Sequence, residues 1–174
     1  LYNLAKDGLL PEPTYLVGTS RRPMDAQALK TEIAEAVQAA TGQPANQAVI
    51  DSLQPSMVTL DPAKAEDYRG LKDHLEQLPV EQRLFYLSIP PEVYGQVVNY
   101  LGEQGLNQGP GPVRLLVEKP FGTDLASAQA LIDLTAKHFT EDQIMRIDHY
   151  LAKETAQNIL TFRARNPLFN RIWN

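Results

Sequence analysis

Short apolar runs alternate with amphipathic stretches along almost the whole chain. Leu1, Leu4 and Ala5 predict a helical turn that Gly8 stops. Thr14-Tyr15-Leu16-Val17-Gly18 is a β-rich run, with Pro11 and Pro13 before it. Asp25 is placed to cap a helix whose Leu29, Ile33, Ala36, Val37 and Ala40 share one stripe, with Gly42 at its end. A helical turn is predicted over 49–53, a strand over 57–60 and a helix over 65–78. Leu84 to Ile89 is apolar on both parities, which predicts a strand buried on both faces. Pro90 and Pro91 stop it, and Pro91 suits the first turn of a helix over 92–104. After the Gly/Pro loop 107–112, Val113 to Val117 predicts another buried strand. Asp124 opens a helix in which Leu125, Ala128, Leu131, Ile132, Thr135 and Phe139 keep a 3.6-residue spacing. Ile144 to Ile147 is the last predicted strand, and a helix follows from about Tyr150 to Arg165.

This alternation, without a hairpin signal such as Asn-Gly, predicts βαβ crossovers: an α/β fold with a parallel sheet covered on both faces. At 174 residues the chain has the length of one domain with a real core. Its ends carry no cap, no initiating Met and no terminating signal, so it reads as a piece of a longer chain, incomplete at both ends.

Composition narrows the function. A net charge of −5 and a pI near 5.2 argue against a general binder of nucleic acid or anionic membrane. With no cysteine and three scattered histidines (His74, His138, His149), neither a disulfide framework nor a protein metal site is expected. No signal peptide or long apolar run is visible, which makes a cytoplasmic location the default.

In open α/β sheets ligands bind at the carboxyl ends of strands, and four predicted ends carry unusual residues. After Gly18 come Thr19, Ser20, Arg21 and Arg22, with no acidic residue before Pro23. An arginine there accommodates the 2′-phosphate of NADP, where an acidic residue would hold the ribose of NAD. The alternative is a solvated loop arginine. The second end is Ser88-Ile89-Pro90-Pro91. Lys119 leaves the third, where it can reach a substrate hydroxyl and a nicotinamide carboxamide; a Glu118–Lys119 surface couple is the alternative, and the Lys119–Pro120 bond is one that cis geometry can visit. At the fourth, Asp148 sits where a strand ends, and His149 and Lys153 are four residues apart, stacked on one face of a helix start. Those two cations and the unpaired N–H groups favour a small anion, foremost phosphate. Asp148 is placed to orient a histidine base, but no histidine of this chain is convincing in that role: His138 reads as a helix C-terminal partner and His74 as a helix-face residue.

Arg146-Ile147-Asp148-His149-Tyr150-Leu151-Ala152-Lys153-Glu154 resembles the active-site signature of the glucose-6-phosphate dehydrogenases, D-H-Y-L-G-K-E, with Ala152 in place of glycine. Val17 to Arg21 resembles the family's V-G-x-x-R, and Leu84 to Tyr94 its L-F-Y-L-A-x-P-P-x-x-Y. Val117 to Gly122 matches E-K-P-F-G, followed by D-L-x-S-A, and Trp173-Asn174 matches a closing W-N. The resemblance implies one Rossmann-like, doubly wound NADP-binding domain over 1–174, with its Gly-rich turn and first strand upstream of Leu1. It implies that Arg21 binds the 2′-phosphate, Tyr94 touches the coenzyme and Lys119 bridges coenzyme and sugar. His149, Tyr150 and Lys153 would hold the sugar phosphate, Asp148 would orient the catalytic histidine, and Asp61 would lie near the adenosine half. That histidine belongs to a later β+α domain, through which the family also forms homo-oligomers. The implied reaction is oxidation of glucose 6-phosphate at C1, without metal, and the 174 residues alone are expected to be inactive. Two other readings stay open: a non-catalytic dinucleotide- or phosphosugar-binding module, and another E-K-P-type sugar oxidoreductase.

Overall fold

A computed structural model describes residues 1–119, 122, 124–147, 153, 155, 158, 159, 161 and 162. The chain divides into two compact units, Leu1–Glu81 with Gln96–Leu106, and Gln82–Gly95 with Asn107–Asn174.

The first unit opens with helix α1 (Tyr2–Lys6), closed by Gly8 at φ +67° as the Leu9 amide reaches back to the Leu4 carbonyl at 2.8 Å. Strand β1 (Val17–Ser20) starts three residues later than the apolar run suggests. The backbone of Leu16 exchanges hydrogen bonds with Leu53 and Ser56 just before the ladder begins, and Gly18 lies inside the strand instead of ending it. Helix α2 (Ala26–Thr41) has the expected caps: Asp25 accepts from the Ala28 amide at 2.8 Å, and Gly42 is left-handed at φ 70°. Its Leu29, Ile33 and Val37 are half-buried, while Ala36 and Ala40 are exposed. Helix α3 (Gln47–Ser52), capped by Asn46, leads to strand β2 (Ser56–Thr59), which pairs in parallel with β1 from Val17 opposite Ser56 to Ser20 opposite Thr59. Helix α4 (Asp67–Glu76) follows. The core of this unit collects Ile50, Leu53, Tyr68, Leu71 and Leu101, with the Tyr68 and Tyr100 rings tilted against each other at 5.3 Å.

The second unit is built on a parallel sheet ordered β3-β4-β5: Arg83–Leu87, Val113–Glu118 and Ile144–Ile147. Helix α5 (Pro91–Glu103) starts on Pro91, which loses nothing at a position whose N–H has no helical partner. Helix α6 (Leu125–Ala136) begins with a capping box: the Asp124 carboxylate takes the Ser127 amide at 2.8 Å and the Ser127 hydroxyl takes the Asp124 amide at 3.1 Å. Just before it, Gly122 has φ +76°, and a Cβ there would stand 2.6 Å from the backbone nitrogen of Ala128.

The expectation of a sheet buried on both faces does not hold among the described residues of this unit. Val113, Leu115 and Val117 point to a covered face, with Leu115 and Val117 fully buried. Leu87 of that face shares a cleft with Tyr94 of α5 and Leu131 of α6. On the other face Leu84, Tyr86 and Met145 remain 57 %, 49 % and 47 % exposed. An apolar run on both parities states what a strand tolerates on each side, not that both sides are covered. The α6 stripe is corrected likewise: Thr135 and Phe139 are buried, whereas Leu125 and Ile132 face outward, because α6 rests on its Leu131–Leu134–Thr135 side, where Leu131 and Leu134 pack on Gly95. The helix expected over 150–165 falls mostly outside the described residues.

One-sided burial has a direct consequence in this chain. Leu115→Ala should lower unfolding free energy by about 2–5 kcal/mol, and Leu84→Ala by less than about 1 kcal/mol, measured by urea denaturation.

Candidate functional site

In the first unit, parallel pairing brings the carboxyl ends of β1 and β2 side by side. The Ser20 carbonyl accepts from Leu60 at 2.9 Å and its hydroxyl accepts from the Arg22 amide at 3.2 Å, turning the chain as it leaves β1. Arg21 and Arg22 are exposed on this turn. The next carboxylate along the chain, Asp25, is engaged in capping α2. A Cβ at Gly18 would lie 2.5 Å from the Met57 sulfur, so the glycine accommodates its strand neighbour closely. Asp61 follows β2; its Oδ1 accepts from the Ala63 amide at 3.0 Å, and its own amide donates to Asp67 at 2.8 Å. Its carboxylate thus shapes the loop. Beside it the Tyr68 phenol, donating to the Pro62 carbonyl at 3.2 Å, is pushed up to about 12, first by burial and then by Tyr100, Asp61 and Asp67.

In the second unit the carboxyl ends of β3 and β4 open onto a cleft lined by Leu87, Ile89, Pro91, Tyr94, Glu118, Lys119 and Leu131. Lys119, the residue after β4, is exposed there. Tyr94 is 7 % exposed, and its hydroxyl shares a hydrogen bond with Thr135. Burial raises its pKa and the Thr135 contact opposes the rise, so it is a neutral group at the cleft wall. Lys119 and Tyr94, singled out separately in the sequence, therefore line one cleft. Arg21 belongs to the other unit. Lys153 is exposed, and Asp148, His149, Tyr150, Ala152 and Pro120 lie outside the described residues.

Several contacts were not legible in the sequence. The Tyr86 hydroxyl donates to Glu118 Oε1. Arg146, the first residue of the nine-residue motif, grips Glu141 with two hydrogen bonds of 2.5 and 3.0 Å. His74 is more than a helix-face residue: its Nε2 lies 2.9 Å from the Ser56 hydroxyl, linking α4 to the start of β2. His138 contributes its carbonyl, which accepts from the Asn107 side chain at 2.5 Å. Among the described residues no group of three or more His, Cys, Asp or Glu could hold a metal ion, and no helix is long and apolar enough to cross a membrane.

Residues 1–158 match the family described as glucose-6-phosphate dehydrogenase, NAD binding domain. The chain belongs to the glucose-6-phosphate dehydrogenase family. Over its whole length it is 38% identical to the glucose-6-phosphate 1-dehydrogenase of Chlamydia muridarum, covering 37% of that protein. It is 34% identical to that of Leuconostoc mesenteroides, again covering 37%. A solved glucose-6-phosphate dehydrogenase in complex with its substrate glucose-6-phosphate superposes with a TM-score of 0.83 at 32% identity, over 99% of this chain and 37% of that one. The Mycobacterium avium glucose-6-phosphate 1-dehydrogenase gives 0.81 at 28% identity, over 99% of this chain and 36% of that one. The chain thus spans little more than a third of these relatives. The fold of the glucose-6-phosphate dehydrogenase coenzyme domain, a Rossmann-like parallel α/β arrangement that binds a nicotinamide dinucleotide, is the fold described above.

The capping box at the start of α6 gives a pH signature. Ser127, through its amide and hydroxyl, holds the Asp124 carboxyl below its ordinary value of 3.8. A depressed folded-state pKa contributes stability above the unfolded value, and that stability is lost as pH falls through the folded one. Asp124→Ala should therefore lower the melting temperature by about 3 °C at neutral pH. The wild-type and variant melting curves should start to approach each other as the pH falls below 3.8 and converge once it lies below the depressed folded-state value.

Proposed function

We propose that the protein containing these residues oxidises glucose 6-phosphate at C1 to 6-phosphogluconolactone with NADP+ as acceptor, the entry reaction of the pentose phosphate pathway. The observation that carries the reading is the placement of Lys119, from the E-K-P-F-G match, at the mouth of β4 in a cleft shared with Tyr94. Family membership and the substrate named for a structural relative support it.

The coenzyme fits the residues present. The turn after β1 offers two exposed arginines, and no acidic residue lies between Gly18 and Pro23. Arg21 would hold that phosphate by a planar, charge-assisted contact. When bound, the nicotinamide supplies the hydride-accepting carbon. Lys119 would donate hydrogen bonds to the sugar and to the coenzyme amide, fixing their mutual orientation. Tyr94 would form an apolar wall with a neutral hydroxyl. His149, Tyr150 and Lys153 would bind the sugar phosphate, and Asp148 would orient the histidine that takes the C1-hydroxyl proton.

Neither described histidine suits that last role, because His74 is committed to Ser56 and His138 precedes β5 at the opposite end of the strand from Lys119. A histidine from a further β+α domain, through which the protein would also assemble as a homo-oligomer, is part of the proposal. The 174 residues alone would then bind ligand without turnover. The site of action would be the cytoplasm.

The test is reduction of NADP+ by the complete protein in the presence of glucose 6-phosphate. Absence of turnover with this sugar phosphate would overturn the reading. Lys153→Ala should raise KM for glucose 6-phosphate about 10- to 100-fold, as expected for loss of a charge-assisted phosphate contact. Arg21→Ala should weaken NADP+ at least about tenfold more than NAD+; equal losses would remove the 2′-phosphate assignment.

A further inference from the structure

Among the described residues, Thr135 is the one polar side chain besides tyrosine that is buried, at 5 % exposed. It lies near the end of α6, on the stripe that the helical spacing gives to apolar residues. A hydroxyl in that setting needs its partners inside the protein, and they are in place. Thr135 Oγ1 donates to the Leu131 carbonyl, one turn back, at 2.7 Å. The same hydroxyl shares a hydrogen bond with the Tyr94 phenol on α5. Gly95, next to Tyr94, lets the two helices come this close: a Cβ there would stand 3.0 Å from the Leu134 side chain.

Counting protons fixes the direction of the second bond. A threonine hydroxyl has a single proton, and the Leu131 carbonyl, which can only accept, takes it. The phenol therefore supplies the other proton, and the order runs from Tyr94 to Thr135 to Leu131. Tyr94 and Leu131 line the cleft at the ends of β3 and β4, whereas Thr135 does not. With its hydroxyl engaged on α6, Tyr94 offers a ligand its ring. We propose that Thr135 is a positioning residue: by accepting the Tyr94 proton it holds that ring in the cleft wall, in the pose that receives the coenzyme. This inference rests on the reading of Tyr94 as a coenzyme contact, and it gives Thr135 no contact with any ligand. Without the acceptor, the buried phenol keeps an unmet donor, and its nearest relief is to turn toward water in the cleft. The space it takes there is lost to the coenzyme.

The test uses the complete protein, with NADP+ binding measured by isothermal titration calorimetry and folding by thermal denaturation. Thr135→Val keeps the shape and removes the acceptor; it should raise the NADP+ dissociation constant about three- to tenfold. Thr135→Ser keeps the hydroxyl and should stay within about twofold of wild type. Thr135→Cys, whose sulfur is a weak acceptor, should fall between them, and it carries the comparison if the valine variant does not fold. In a Tyr94→Phe background no phenol proton needs a partner, so adding Thr135→Val should weaken NADP+ no further than Tyr94→Phe alone does. A purely structural Thr135 would lower the melting temperature and leave the dissociation constant of the folded variants alone. Unchanged binding in Thr135→Val, or in Thr135→Cys where that stands in for it, would overturn the inference. So would a loss that persists undiminished in the Tyr94→Phe background. The calorimetric pattern does not depend on turnover. Finding it in a protein inert toward glucose 6-phosphate would uphold the role of Thr135 and reject the proposed substrate instead.

Discussion

The packing of β4 is the constraint on which the second unit depends. Leu115 and Val117 are wholly buried and Val113 nearly so, which fixes the strand's rotation and with it the faces on which every later residue emerges. The register with β3 and β5 runs through Leu115 opposite both Phe85 and Ile144. Sliding β4 by one residue would bury Arg114 and Leu116 in their place, so the register is held by burial as well as by the ladder. Glu118 and Lys119 reach the strand mouth because three apolar residues further back leave them no other position.

Much of this was legible in the sequence because local signals agreed with the tertiary structure. Asp25 and Gly42 bracket α2, Pro91 opens α5 and Asp124 opens α6 through local chemistry that no distant contact needs to correct. β5 falls on the four apolar-run residues expected. Strand β1 was displaced because Thr14 and Tyr15 have β propensity but lie on an approach segment, and the ladder begins where β2 supplies partners. Partial exposure of β3 was not legible, since Leu84 and Tyr86 look the same in sequence whether or not anything covers them. Lys119 and Tyr94 were recognisable one by one. That Tyr94 shares a hydrogen bond with Thr135, and that Glu118 accepts one from Tyr86, depends on which strands and helices become neighbours, which residue types alone do not encode.

The electrostatics of the chain are local. An excess of acidic residues gives no long-range attraction for an anion, and several basic groups are already committed: Lys30 to Asp51 at 2.6 Å, and Arg146 to Glu141. These exposed pairs contribute little to stability.

Gly122 sets a limit on how this protein can vary. The room a side chain would need is filled by main-chain atoms of the first turns of α6, which cannot swing aside as a flexible methionine or leucine tip could. Its left-handed backbone would resist any L side chain even with more space. Divergence at this position is therefore closed to single steps: a replacement would require the helix start to be re-seated at the same time, so the segment and its helix must evolve as one piece.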